Sequence, residues 1–144
     1  MTLLHKMPLA MLLLGASLFA QEPVKLKPGS KIFISPMNGF ELYLQAAFSS
    51  RKVPVSVVLD KDKADLIING TVNVVDSGTK GRTTDVFGGA SHVLRNYSAS
   101  VSIVDPKSSV VVFSAASEKG SGKNDLTKDI AEDLAEKIKK QVGK

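Results

Sequence analysis

The chain of 144 residues contains no cysteine and no tryptophan, and only two histidines. Without cysteine there are no disulfides and no thiolate metal sites. A lipoprotein anchor is excluded too, because it needs a cysteine to acylate. Beyond the first twenty residues the only histidine is His92. One imidazole without thiols cannot supply the three or four protein ligands of a zinc centre. Nor does it make a nucleophile–base–acid triad. Ser91 and Asp85 are close to His92 in sequence, but neighbours in one loop are not preorganised, and no Gly-x-Ser-x-Gly elbow is present. Long apolar runs are scarce as well. The one run, Met7 to Phe19, is shorter than the ~20 residues that cross a bilayer.

That run follows a short basic start (His5, Lys6) and leads to Ala20 and the polar Gln21-Glu22-Pro23. This is the pattern of a secretory signal. The expected cut follows Ala20, with Leu18 in the place where a small residue is usual. Residues 1–20 are thus expected to be a signal peptide. The mature chain is expected in the periplasm or secreted, with no lipid anchor and no membrane span. A disulfide-free exported domain of this size points to a bacterial source.

The formal charge is +5, but the lysines are dispersed from Lys25, Lys27 and Lys31 through Lys61, Lys63 and Lys80 to Lys137, Lys139, Lys140 and Lys144. Scattered positive charge attracts anionic surfaces in general. No nucleic-acid motif accompanies it. Anionic envelope polymers or lipid headgroups are the expected counterparts, and nucleic acid is not.

Residues 21–30 read as an extended lead-in, and residues 31–144 as one domain. Lys31 to Met37 is β-rich. Asn38 is placed to cap a helix, with Glu41 in the capping-box position. Phe40, Leu44, Ala47 and Phe48 recur at helical spacing. A Val-rich second strand covers Val53 to Leu59, and strand–helix–strand at this spacing reads as a parallel crossover. Leu66 to Val75 alternates, with Leu66, Ile68, Val72 and Val74 on one face, Asn69, Thr71 and Asn73 on the other, and Ile67 and Val75 as exceptions. Residues 76–95 are polar and glycine-rich, a long loop expected to be mobile or functional. Asn96 to Val104 alternates again, with Tyr97, Ala99, Val101 and Ile103 inward. Asp105-Pro106-Lys107-Ser108 is a turn, and Val110 to Ala115 completes a hairpin. A final helix from about Asp125 to Val142, capped by Asn124, buries Leu126, Ile130, Leu134 and Ile138. Its outer side carries the pairs Asp133–Lys137 and Glu136–Lys140. The expected fold is α+β: a mixed five-stranded sheet in the order β-α-β-β-β-β-α, with both helices on one face.

Three segments carry a family resemblance. They are Lys31-Ile-Phe-Ile-Ser-Pro-Met37 running into a helix, Ala64-Asp-Leu-Ile-Ile-Asn-Gly70, and Tyr97-Ser-Ala-Ser-Val-Ser-Ile-Val-Asp-Pro-Lys107. In that order they resemble the periplasmic α/β domains grouped around CsgG, LpoB and the amino-terminal domain of TolB. Phe113 stands near the position where that group carries a tryptophan. The resemblance covers most of residues 30–142 and implies accessory work in the cell envelope by binding, activating or assembling a partner. There is no lipobox cysteine and no long apolar hairpin from which a CsgG-like pore would be built.

Other motifs have plainer readings. Gly120-Ser-Gly-Lys-Asn124 lies between a strand and a helix, as a phosphate loop would. The first required glycine is Ser117, however, and the magnesium-binding Ser/Thr is Asn124. Asp60, Asp62 and Asp65 are spaced like calcium ligands, but Asp65 and Thr71 occupy the EF-hand glycine and glutamate positions, and Lys61 and Lys63 dilute the field. The sequons at Asn69 and Asn96 carry no meaning in a bacterial chain.

No cofactor, metal site or catalytic residue is therefore expected. The reading is a non-enzymatic envelope module that binds a partner protein or an anionic envelope polymer. Its contacts would lie on the 76–95 loop and on an exposed sheet face or edge. Val86 and Phe87, an apolar pair in a polar loop, either fold back with Phe87 on the sheet or stand as a partner-docking anchor with Arg82, His92 and Arg95 around them. Two other readings stand beside it. One is a hydrolase of an envelope polymer using a carboxylate pair such as Asp85 and Glu118. The other is a carrier of a small apolar ligand, which requires an internal cavity of at least about 300 Å³.

Overall fold

The computed structural model describes residues 24–77, 94–120 and 125–144. The elements are β1 (Lys31–Ile34), α1 (Phe40–Ser50), β2 (Ser56–Val58), β3 (Leu66–Ser77), β4 (Leu94–Val104), β5 (Val111–Lys119) and α2 (Leu126–Lys139). They form one five-stranded sheet in the order β2-β1-β3-β4-β5. β1 pairs in parallel with β2 and β3, while β3–β4 and β4–β5 are antiparallel. The expected α+β architecture is the observed one.

The core lies on one side of the sheet. Ile32, Ile34, Leu66, Ile68, Ala99, Val101 and Ile103 point to that side. They meet Phe40, Leu44, Ala47 and Phe48 of α1 and Ile130, Ala131, Leu134, Ala135 and Ile138 of α2. Each large side chain buried in this way stabilises the fold by about 1.5–3 kcal/mol. Alanines 131 and 135 widen the α2 stripe, letting the helix approach closely. Leu26, in the lead-in, is also buried in this cluster. The Gly143 N–H donates to its carbonyl and the Gly29 N–H donates to the Pro54 carbonyl, so the lead-in is bound to the domain.

Several local expectations change. Asn38 does not cap α1: it adopts a left-handed backbone with φ 55°, and Gly39 occupies the cap position without a side-chain cap. Glu41 does the work from inside the helix, its Oε2 accepting from the N–H groups of Met37 (2.7 Å) and Gly39 (3.0 Å). The Met37 hydrogen bond leads the causes that hold the Glu41 pKa below the ordinary value. At α2 the cap is Asp125, whose carboxylate accepts from the N–H groups of Thr127 and Lys128; Asn124 lies outside the described residues.

Strand ends differ too. β2 is only Ser56–Val58, shorter than the valine run predicts, because the chain is still turning around Pro54 when the run begins. β5 continues to Lys119, since β4 offers pairing partners as far as Tyr97. β3 and β4 extend into the expected loop, with Asp76 opposite Arg95 and Ser77 opposite Leu94. Gly70 is required by close approach: a Cβ there would lie 2.5 Å from the Ser100 carbonyl oxygen and 2.6 Å from Met37 Sδ.

Candidate functional site

Because both helices cover one side, β3, β4 and β5 present their other side uncovered by any described helix. Period-two alternation places Asn69, Thr71 and Asn73 there from β3, and Ser98, Ser100 and Ser102 from β4. Register aligns Asn69 with Ser102 and Ser114, Thr71 with Ser100 and Ala116, and Asn73 with Ser98 and Glu118. The rows are laced together. Thr71 Oγ1 and Ser100 Oγ are 3.1 Å apart, Ser102 Oγ and Ser114 Oγ 2.9 Å, and Ser35 Oγ donates to Asn69 Oδ1 at 2.7 Å. In a chain that is 23% charged, these rows carry a single ionisable side chain, Glu118. Short hydroxyl and amide groups have little rotamer entropy to lose on contact. At the β1 end the same side turns apolar: Phe33, Ile67 and Val104 are in register, and Ile67 is only 6% exposed.

The rim of this surface is the outer edge of β5. Lys137, on α2, donates from Nζ to the Ala116 carbonyl at 2.6 Å and pairs with Asp133 Oδ2 at 2.8 Å. Partial burial acts to raise the Asp133 pKa, but the Lys137 hydrogen bond leads the opposing causes and holds it below the usual value. Ser117, also facing α2, has its hydroxyl buried without a hydrogen bond of normal geometry. It lies close enough to Asp133 to favour the charged carboxylate. Together these residues border an open cleft of about 360 Å³ that also takes in Ser98, Ser100 and Glu118. The sequence foretold Asp133–Lys137 only as helix support. Nothing in it announces that Lys137 also reaches a strand edge.

A second cleft, of about 910 Å³, opens at the other end of the sheet beside Lys25, Lys27, Lys63 and Lys107. Two of its acids, Asp65 and Asp105, are engaged by backbone N–H groups, and Asp60 beside it by another. Asp65 Oδ2 accepts from the Lys31 N–H at 2.9 Å. Asp105 is 4% exposed and accepts from Ser108 Oγ (2.7 Å) and the Lys107 N–H (2.9 Å), which holds its pKa low. Asp60 accepts from the Asp62 N–H and pairs with Lys63 at 3.6 Å. Of the spaced aspartates, Asp60 thus shapes a local turn and Asp65 ties the start of β3 to β1. Both clefts are open and mix charged and hydroxyl groups with apolar ones, and neither is the enclosed cavity that a carrier requires.

Of the expected contact residues, Arg82, Val86, Phe87 and His92 lie outside the described residues. Arg95 is on β4, its backbone opposite Asp76. Asp85 also lies outside, while Glu118 is exposed on β5. Residues 121–124 of the glycine-rich connection are likewise outside. The described α2 start already holds a carboxylate, Asp125, on the N–H groups that a phosphate would need. No helix among the described residues is long and apolar enough to cross a membrane.

No protein-family model matches the chain, and no curated protein sequence matches it significantly. Solved structures do. The dodecamer of a leucine-to-methionine variant of PelC from Paraburkholderia phytofirmans superposes with a TM-score of 0.56 at 12% identity, covering 85% of this chain and 94% of that one. A second crystal form of the PelC dodecamer gives 0.51 at 12% identity over 84% and 94%. TolB from Acinetobacter baumannii gives 0.50 at 9% identity, covering 81% of this chain and 29% of TolB. The class defined is therefore one of fold: an α/β domain shared with PelC and with part of TolB. TolB belongs to the group that the three sequence segments resemble.

Proposed function

We propose that this protein is an exported, non-enzymatic accessory module of the bacterial cell envelope that works by contact. Its binding surface is the uncovered side of β3–β4–β5 together with the adjoining 76–95 segment. One observation carries the reading: a laced, nearly uncharged field of hydroxyl and amide groups on the sheet side opposite both helices. The fold shared with TolB and PelC supports an envelope setting. The partner is an envelope protein or an anionic envelope polymer. Cross-linking in living cells from positions 87 and 100 tests this. The reading expects both positions to capture the same partner. Capture no greater than from position 128, on the exposed side of α2, would overturn it.

A second reading is favoured by the PelC comparison, since those chains are dodecamers. In it, this domain also associates with copies of itself. Sedimentation of the purified exported protein across a concentration series tests that; a monomer at every concentration would end it.

A further inference from the structure

The sheet has two open ends, β2 and β5, with no described strand beyond either. An open edge displays unpaired backbone donors and acceptors that only another strand satisfies well. The Ala116 carbonyl points away from β4, to Lys137. By the two-residue alternation of an antiparallel ladder, Ser114 presents its N–H and carbonyl on that same outer edge. On β2, the Ser56 N–H donates to the Ser30 carbonyl at 2.9 Å, so Ser56 faces β1 and Val57 faces outwards.

The two edges match in length and character. Lys137, held by Asp133, occupies the Ala116 carbonyl and closes the carboxy-terminal half of the β5 edge. What remains open runs from Val111 to Ser114, about the length of the three-residue β2. Apolar side chains stand exposed beside both: Val110 (47%) and Val111 (55%) at β5, and Leu59 (87%) directly after β2. We propose that the open half of the β5 edge receives β2 of a second copy of this chain, with Leu59 lying against Val110 and Val111. The inference rests on the self-association reading and names its interface. The contact joins two different patches, so it is head-to-tail and builds a closed ring or an open filament. Lys137 limits how far the added strand can extend, which keeps the pairing short.

The test uses two edge-blocked variants of the full exported protein. Ser114→Pro removes an outward-facing N–H of β5, a position where proline is tolerated. Val57→Pro does the same on β2. Leu59→Lys and Val111→Lys place charge in the contact without touching the backbone and cover the case in which a proline variant fails to fold, with far-UV circular dichroism as the check. Sedimentation velocity is the readout. The expected result is that wild type self-associates, that each variant alone is monomeric, and that a β5-blocked variant mixed with a β2-blocked one forms a heterodimer. If wild type associates and all the folded variants associate equally, this interface is wrong while self-association stands. If wild type is monomeric throughout, both fail.

Discussion

Arg51 and Glu132, 81 positions apart, meet at 2.5 Å and join the end of α1 to the middle of α2. Lys139 adds a second tie across the same seam, its Nζ donating to the Arg51 carbonyl at 2.8 Å. The Arg51 hydrogen bond is the main reason that the Glu132 pKa lies below its ordinary value, and the same contact raises that of Arg51.

The lowered carboxylates fix the sign of the pH dependence. Glu132, Glu41 and Asp105 all titrate below their ordinary values of 4.5, 4.5 and 3.8 in the folded chain. Each stabilises the fold fully above its unfolded pKa, and the contribution is lost as pH falls through the folded pKa. Thermal unfolding followed by circular dichroism should show the midpoint steady near neutrality and falling below about pH 5. Glu132→Gln should lower the neutral midpoint and flatten the acid slope, because the glutamine has no proton to take up. An unchanged slope would remove Glu132 from the account.

Gly70→Ala should destabilise the domain by about 1–3 kcal/mol, as overpacking does. Met37 Sδ can move aside, but the Ser100 carbonyl is part of the β3–β4 ladder and cannot. Measured in a Met37→Ala background, which relieves the sulfur contact, Gly70→Ala should therefore still destabilise, though less than in wild type, in a urea double-mutant cycle. No further loss in that background would show that the backbone contact costs nothing.

Leu134 and Ile138 are fully buried between α2 and the sheet. Truncating either to alanine should cost about 2–5 kcal/mol. Leu126, the first residue of the same helix, is only partly buried, and its alanine variant should cost less than either. Urea midpoints order the three.

Lys137→Met keeps the aliphatic stem and deletes the ammonium. It should free the Ala116 carbonyl and lengthen the open β5 edge, which promotes edge-to-edge association. Light scattering at fixed concentration should rise relative to wild type, with secondary structure unchanged. Asp133, left without its main stabilising partner, should also titrate higher. Scattering equal to wild type would show that Lys137 does not guard the edge.

Much of the sheet was legible beforehand because alternation over Leu66–Val75 and Asn96–Val104 is a local signal, set by which side chains water rejects. One failure was local in origin and the others came from tertiary pairing and packing. Asn38 followed by Gly39 permits left-handed backbone at both positions, so Glu41 reaches back to the Met37 and Gly39 N–H groups and the expected cap is displaced. β5 outran its apolar residues because pairing with β4 satisfies backbone groups whatever the side chains are. Val74, expected inward, is 53% exposed, since β3 there has run past the helices that cover its start.

The candidate surface divides in the same way. The hydroxyl and amide residues that make it are visible in the sequence as the polar half of two alternating strands. Their alignment into rows depends on register, and the β5 edge depends on a lysine that is neighbour to Ala116 only in space.

By itself, the sequence determined the order of strands and helices, most of the apolar face of each, the lack of thiols and the presence of one histidine beyond the first twenty residues, because these follow from composition and periodicity along the chain. Only the tertiary structure decided which described strands end the sheet, which side the described helices leave uncovered and which half of β5 Lys137 closes. Those depend on contacts between residues far apart in the chain, and periodicity carries no information about such distances.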